Sequence, residues 1–278
     1  MLEKLFSVSG GLHFDVAERD FGKQDKGISP NGAQDQLSFN IAFDIFDSPE
    51  SFQAIEMIYP TKIVANKPML FIICGAGYQQ ILIDENKPIL KDKVYSLNEG
   101  QTISFGGQKS GFRTIIFAVE SNATTSKYIA KKRSSLITSF ITDLYSERKI
   151  RVVKGPEYYV FNDESLFDQS WKISQNSSQM GLVLEGDKLD VKKIEMISQP
   201  VTDGTVQLSP NGPIVLMRHR QTIGGYPRVL NVIETDMNKL AQLAMGESFR
   251  FKLIDFNEAI EINNKYRKLF SSIDFLEQ

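Results

Sequence analysis

The chain has 278 residues, 41% of them hydrophobic and 24% charged, with 32 basic against 34 acidic side chains and a formal charge of -2. That balance fits a soluble globular protein with a real core and offers no broad electrostatic reason to bind nucleic acid or an anionic membrane. The length admits one large β domain or two ordinary ones, and the 19 phenylalanines point to an aromatic core that favours strands over long helices.

In chain order, "KLFSVSGGLHFDV" predicts a short strand broken by Gly-Gly, followed by a polar loop with a turn at Pro30-Asn31-Gly32. Asp35 is placed to cap a helix carrying Leu37, Ile41, Ile45 and Phe46 at helical spacing, and Ser48-Pro49 should stop it. From about residue 55 to 120 the period shortens. "AIEMIYPTKIVA", "PMLFIICGAG", "QQILIDE", "KVYSLNEGQTISFGG" and "FRTIIFAVES" read as strands separated by Gly, Asn, Pro and Asp. Such close strands suggest antiparallel pairing in a barrel or sandwich, and the crossover helices of a doubly wound sheet are missing there. The single cysteine, Cys74, reads as a buried small hydrophobe. Residues 121–150 are Ser/Thr-rich with a basic run Lys131-Lys132-Arg133 and read as a helix, an irregular crossover or a domain junction.

Strand rhythm returns at 151 in "IRVVKGPEYYVF", "WKISQNSSQMGLVLEG", "KIEMISQP", "GTVQLSP", "PIVLMRH", "RVLNVIE" and "SFRFKLI". Asp236 is expected to cap a short helix ended by Gly246, and the segment from Asp255 reads as a closing helix. "LNEGQTISFGG" and "LAMGESFRFKL" share one apolar–polar–Gly–polar–apolar pattern, each a tight turn feeding a late strand, which suggests two related β units. No secretory signal or bilayer-length apolar run is apparent, so the expected location is cytoplasmic.

Three stretches carry candidate chemistry. In "SPNGPIVLMRHRQTIGGYPRVLNVIETD", Asn211-Gly212 supplies a hairpin turn, and Gly224-Gly225 lets the backbone approach something closely or adopt positive φ. Arg218, His219, Arg220, Gln221 and Thr222 are expected at a strand rim beside Tyr226, able to hold a carboxylate, phosphate or planar amide. A polar hairpin loop is the simpler reading of the local composition. In "GKQDKGISPNGAQDQ", turns should gather Lys23, Lys26, Asn31, Gln34 and Asp35 in a loop whose N–H groups could receive an anion; an ordinary surface loop is the alternative. In "SQNSSQMGLVLEG", Ser174, Asn176, Ser177, Ser178 and Gln179 either line a pocket or satisfy their own loop. With two histidines and one cysteine at no ligand spacing, no metal site is expected, and neither a phosphate-loop nor a G-x-S-x-G pattern occurs.

"KGISPNGAQDQLSFNIAFDIF", "IRVVKGPEYYVF", "NSSQMGLVLEG", "GTVQLSPNGPIVLM" and "RQTIGGYPRVLNVIETDMNKLAQLAMGESFRF" occur in order. Together they resemble the biotin-dependent carboxyltransferase-like family that includes KipA, the C-type subunit of 5-oxoprolinase and allophanate-hydrolase-subunit-2-like proteins. The resemblance implies a mainly β chain of two cyclophilin-like β-barrel domains with short peripheral helices. It is divided here as 1–125, a crossover or junction at 126–150, and 151–278 with the closing helix. It implies work with A-type and B-type (KipI-like) partners in ATP-dependent opening of the pyroglutamate lactam, with ATP bound by or with those partners. The alternatives it implies are a noncatalytic KipA-like regulatory protein, or carboxyl transfer to urea or a related amide from a separate biotin carrier.

Carried onto this chain, the first family motif falls on Gly27, Ile28, Pro30, Gly32, Ala33 and Asp35. The second falls on Ser177, Gln179, Met180 and Gly181, and the third on Gln221, Thr222, Gly224, Gly225, Tyr226 and Pro227. The expected catalytic surface is Arg218, His219, Arg220, Gln221 and Tyr226. Lys26, Asn31, Asp35, Ser177, Gln179, Thr222, Gly224 and Gly225 are expected to bind substrate or anion. Three departures stand out: "VAERDFG" replaces the usual Gln-Asp-Leu-Gly-Arg, Gln179 stands where the family carries Arg, and His219 where it carries Asp. The usual glycine-rich continuation after "FAVES" is missing too. The Arg-to-Gln change removes a fixed positive fork, and the Asp-to-His change trades a permanent negative charge for a switchable one.

Overall fold

The computed structural model describes residues 4–122, 144–162, 164–192 and 194–271. The stretch read as a crossover or junction, including Lys131-Lys132-Arg133, falls mostly outside the described residues. Two compact units result: one holds residues 4–17 and 35–122, the other 18–34 and 144–271. The early loop therefore belongs with the second unit.

Ten strands build the first unit: β1 (Phe6–Ser9), β2 (Leu12–Val16), β3 (Gln53–Ile58), β4 (Lys62–Ala65), β5 (Met69–Tyr78), β6 (Ile81–Ile83), β7 (Lys87–Ile89), β8 (Tyr95–Leu97), β9 (Thr102–Phe105) and β10 (Gln108–Glu120). They form two sheets, β1-β4-β9-β6-β7 and β2-β3-β10-β5-β8, around a core that includes Phe6, Met57, Phe71, Ile103 and Ile116. One strand was expected before the early loop. The chain instead breaks at Gly10 and Gly11, both at positive φ, and β2 enters the other sheet. Helix α1 (Gln36–Ile45) begins as the sequence predicts: the Asp35 carboxylate accepts from the Ser38 N–H at 3.1 Å and the Ser38 hydroxyl at 2.6 Å.

The phenylalanine excess was expected to serve strands, yet its densest cluster serves the helix. Phe39 and Phe43 of α1, with Phe46 and Phe52 just beyond it, surround Phe117 of β10; the Phe52 and Phe117 rings stack at 4.7 Å. Because β10 is covered on both faces, residues 112–119 are buried without alternation.

Asp44 lies in the last turn of α1, where the helix dipole disfavours an anion, and burial pushes its carboxyl up to about 6. Among the described residues no cation or donor is found on its carboxylate. The folded chain thus holds this proton more tightly than the unfolded one. Stability from this group is greatest below about pH 4 and declines as pH rises towards 6. Asp44→Asn is expected to stabilise the protein at about pH 7 by roughly 1–2 kcal/mol, allowing for solvent screening, and to change little near pH 4. Urea unfolding at the two pH values measures this; equal effects at both would refute it.

In the second unit, β11 (Lys149–Lys154), β12 (Trp171–Ile173), β13 (Gly181–Glu185), β14 (Gln199–Pro200), β15 (Thr205–Ser209), β16 (Gly212–Leu216), β17 (Ile223–Gly224), β18 (Arg228–Val232) and β19 (Ser248–Leu253) follow in turn. Seven close a barrel in the order β11-β18-β15-β16-β13-β12-β19; β19 returns to β11 in parallel and the other pairs are antiparallel. Closure removes the sheet edges. Trp171, Val206, Val215, Leu230, Phe249 and Phe251 lie in the barrel core, and the Trp171 indole donates to the Leu166 carbonyl at 2.9 Å. β14 and β17 form a separate two-stranded sheet; residues 194–198 of the expected strand "KIEMISQP" carry none. Helices α2 (Glu234–Ala241) and α3 (Phe256–Ser271) complete the unit. Among the described residues no helix is long and apolar enough to cross a membrane.

Asp236 was expected at the N-cap of α2, but that place is held by Ile233 without a side-chain cap, and the helix stops at Ala241 rather than Gly246. Gly246 serves the turn before β19. Its echo in the first unit is close: Gly100 and Gly246 have φ of 81° and 89° at the third position of a turn closed by Gln101 N–H to Asn98 O and Glu247 N–H to Ala244 O. In both, the fourth residue also folds its side chain back. Gln101 Oε1 accepts from the Asn98 N–H at 2.8 Å, and Glu247 Oε2 from the Ala244 N–H at 2.7 Å.

Candidate functional site

The first and third stretches singled out in the sequence converge on one face of the closed barrel. The β15–β16 hairpin turns through Pro210-Asn211, with Ser209 facing Gly212. The chain then leaves β16, forms β17 and re-enters at β18. A pocket of about 240 Å³ opens there, lined among others by Asn176, Met180, Gln207, Gln221, Gly225 and Tyr226. Its lining carries amides, hydroxyls and apolar groups, and none of its side chains is charged at neutral pH. Gly224 stands against the Gln207 side chain so closely that a Cβ would lie 2.4 Å from Gln207 Nε2. Of the two readings of Gly224-Gly225, close approach is the one realised at Gly224, whose φ is not positive. Gln207 is buried, donates to the Tyr226 carbonyl at 3.2 Å and accepts from Gln221 Nε2 at 3.5 Å. Tyr226 stays 45% exposed, its ring free to cover a small ligand.

The expected rim display fails for the two arginines. Arg218 is fully buried and Arg220 nearly so. Both, with Arg19, surround Asp203, which projects from the turn 202–205. Arg218 also reaches Glu234 of α2 at 3.1 Å. Arg220 Nε lies 2.9 Å from Asp203 Oδ1, but its N–H points off that oxygen, so the contact is ionic rather than hydrogen-bonded. Burial, with the nearby Arg218, pushes the Arg19 guanidinium below its ordinary value against the pull of Asp203. Burial alone would raise Glu234; Arg218, with Arg19 and Arg267, outweighs it and holds the carboxyl below its usual range.

This cluster fastens the early loop to the barrel. Gln34 accepts from the Arg218 N–H through Oε1 and from Arg218 Nε through its carbonyl, both at 3.1 Å, and donates to the Gln179 carbonyl at 2.8 Å. The His219 Nε2 lies 2.8 Å from the Gly32 carbonyl, which requires the Nε2–H form as donor. Arg19 Nε donates to the Asn31 carbonyl at 3.2 Å.

The remaining candidates separate. Lys26 is exposed at the end of a short 3-10 turn, Gln24–Lys26. Asn31 is exposed at φ 53°, its Oδ1 accepting from the Ser29 hydroxyl. Asp35 belongs to the first unit, where it caps α1 and donates its N–H to Glu56 at 2.9 Å. The Ser177 hydroxyl is used by its own loop, accepting from the Val183 N–H at 3.0 Å. The Gln179 side-chain oxygen is buried without a hydrogen bond. The Thr222 carbonyl accepts from the Val201 N–H at 3.0 Å. Gln221, Gly224, Gly225 and Tyr226 thus share the pocket; Arg218, His219 and Arg220 do not line it. Gln207 was missed because it alternates with the core residues Val206 and Leu208 and so reads as an outward polar position. Residues 221–226 lie against its side chain and cover it.

The chain is 27% identical over 282 residues to the C-type subunit of 5-oxoprolinase from Haemophilus influenzae, covering 88% of this chain and 89% of that protein. It is 34% identical over 147 residues to the C-type subunit of 5-oxoprolinase from Escherichia coli, covering 51% of this chain and 47% of that one. The crystal structure of the Kluyveromyces lactis urea amidolyase superposes with a TM-score of 0.79 at 16% identity, over 98% of this chain and 20% of the larger one, a likeness of fold. The model of the carboxyltransferase domain, subdomains A and B, matches residues 26–139 and 117–253, and the chain belongs to that family.

Proposed function

We propose that this chain is the C-type subunit of a 5-oxoprolinase-like amide hydrolase, binding and orienting a small neutral amide or lactam for chemistry completed with A-type and B-type partners. The observation that carries the reading is the uncharged pocket under Tyr226. Gln207 and Gln221 stand in contact there, next to Asn176, and present the donors and acceptors that a planar amide matches in kind. A relative matched along nearly the whole chain bears the name of the C-type 5-oxoprolinase subunit. ATP does not fit this pocket: the lining offers no cation for a triphosphate, so the reading assigns nucleotide to the partner subunits.

Reconstitution with A-type and B-type subunits and measurement of 5-oxoproline-dependent ATP turnover tests the proposal. Turnover should require this chain, and Gln221→Ala should lower kcat/KM about tenfold or more without a change in Tm. Equal turnover with the chain omitted would sink it. The same pocket supports a second, noncatalytic reading: Tyr226 is its one titratable side chain, so little on its lining can move a proton at neutral pH. Tight binding to the B-type protein with unaltered turnover would favour that reading.

A further inference from the structure

On the outer wall of the second-unit barrel, the parallel pairing of β11 and β19 sets like charges directly across from each other. Lys149 stands opposite Arg250, and Arg151 opposite Lys252. Like charges in such register destabilise a sheet unless something lies between them. Arg151 has its answer in Asp236, by hydrogen bonds of 3.0 Å and less. Lys149 and Arg250 have none: both are exposed, and among the described residues no carboxylate forms an ion pair with either.

They line a second pocket, of about 340 Å³, with Arg148, Ser170 and Ser248. Two carboxylates lie close and both are engaged. Glu247 holds Arg148 at 2.6 Å, and Glu147, on the lining itself, accepts from the buried Lys239 at 2.7 Å. Burial works against the Glu147 charge, but Lys239, Arg151 and Lys149 outweigh it and hold its carboxyl below the ordinary range. Three cations face one carboxylate on this lining, beside two hydroxyls that can donate.

We propose that this pocket binds a phosphate group, with Lys149 and Arg250 as its cationic jaws, Arg148 beside them and the Ser170 and Ser248 hydroxyls as further donors. A tetrahedral dianion matches the excess charge, offers an acceptor to each donor and relieves the Lys149–Arg250 repulsion; a monocarboxylate leaves one cation unanswered. The site is separate from the amide pocket and does not depend on the function proposed for it.

Titration calorimetry with inorganic phosphate and with phenyl phosphate tests this on the full chain. Saturable binding of either is expected, weakened by added salt and by about tenfold or more in Lys149→Gln/Arg250→Gln. Tighter binding of phenyl phosphate would identify a phosphate monoester as the ligand, and equal or tighter inorganic phosphate the free ion. Both side chains are exposed and repel each other, so the double variant should melt no lower than the parent. A second variant, Ser170→Asp, should abolish binding by placing a carboxylate in the pocket. Absence of saturable binding, or equal affinity in parent and variants, would overturn the proposal.

Discussion

Replacing Arg218 by methionine is expected to destabilise the second unit by about 3–5 kcal/mol, lowering Tm by roughly 10 °C. The guanidinium is wholly buried and holds four groups together: Asp203 at 3.4 Å, Glu234 at 3.1 Å, Asn238 at 3.5 Å and the Gln34 carbonyl at 3.1 Å. A buried ion pair adds little beyond a well-packed apolar substitute, but removing one partner strands the others. Asp203 keeps Arg19 and Arg220, and the Glu234 side chain is partly exposed, so the largest share falls on the loop carbonyl left without its donor and on the lost packing. Arg218→Met/Glu234→Gln should therefore recover only a minor part of the loss, about 1 kcal/mol or less. Limited proteolysis adds a readout that cavity formation would not move: cleavage within 18–34 should accelerate, because Gln34 loses one of its three hydrogen bonds to the barrel. A loss under about 1 kcal/mol, with unaltered proteolysis, would mean the cluster is solvated and fastens nothing.

Local rules made much of the fold legible. Asp35 and the run Leu37, Ile41, Ile45 announce α1 because a cap and a 3.6-residue period are short-range properties. The two glycine turns before β9 and β19 could be matched by eye because a left-handed position tolerates few residues. What the sequence could not convey was which polar groups would be covered. Arg218 and Arg220 flank a histidine in a stretch that reads as a polar rim. Their burial is decided by Asp203, fifteen and seventeen residues earlier, and by Arg19, nearly two hundred residues earlier, which no local pattern connects. Family resemblance singled out whole stretches but did not convey how the residues within one of them divide. In "RHRQTIGGY" Arg218 and His219 clamp a loop and Arg220 packs on Asp203, while Gln221, Gly224, Gly225 and Tyr226 shape a pocket.

The same limitation bears on the departures that the resemblance implies. His219, which the resemblance sets where the family carries Asp, spends its Nε2–H on the Gly32 carbonyl, an acceptor a carboxylate could not serve. That nitrogen is thus engaged with the early loop, and the side chain does not line the pocket.

Asp236 offers the sharpest contrast between a local and a tertiary role, and Asp236→Ser separates the two. Serine is as good an N-cap as aspartate, so a capping residue would tolerate the change with a loss of a few tenths of a kcal/mol. In the structure Asp236 lies inside the first turn of α2, fully buried. Oδ2 accepts from the Arg151 N–H at 2.7 Å and Nε at 3.0 Å, Oδ1 from Nη2 at 2.5 Å, and Lys239 stands 3.4 Å away. Serine can replace one of these bonds and none of the charge, leaving Arg151 half-buried without its carboxylate and Lys239 with Glu147 and the Lys149 carbonyl. The expected loss is about 3 kcal/mol or more, measured by urea unfolding. Arg151→Met/Asp236→Leu, which removes both halves of the pair, should cost less than Asp236→Ser by at least about 1 kcal/mol. If the serine variant instead unfolds at the parent's urea midpoint, the tie between α2 and β11 contributes nothing and the helix is held by Met237 and Leu240 in the barrel core.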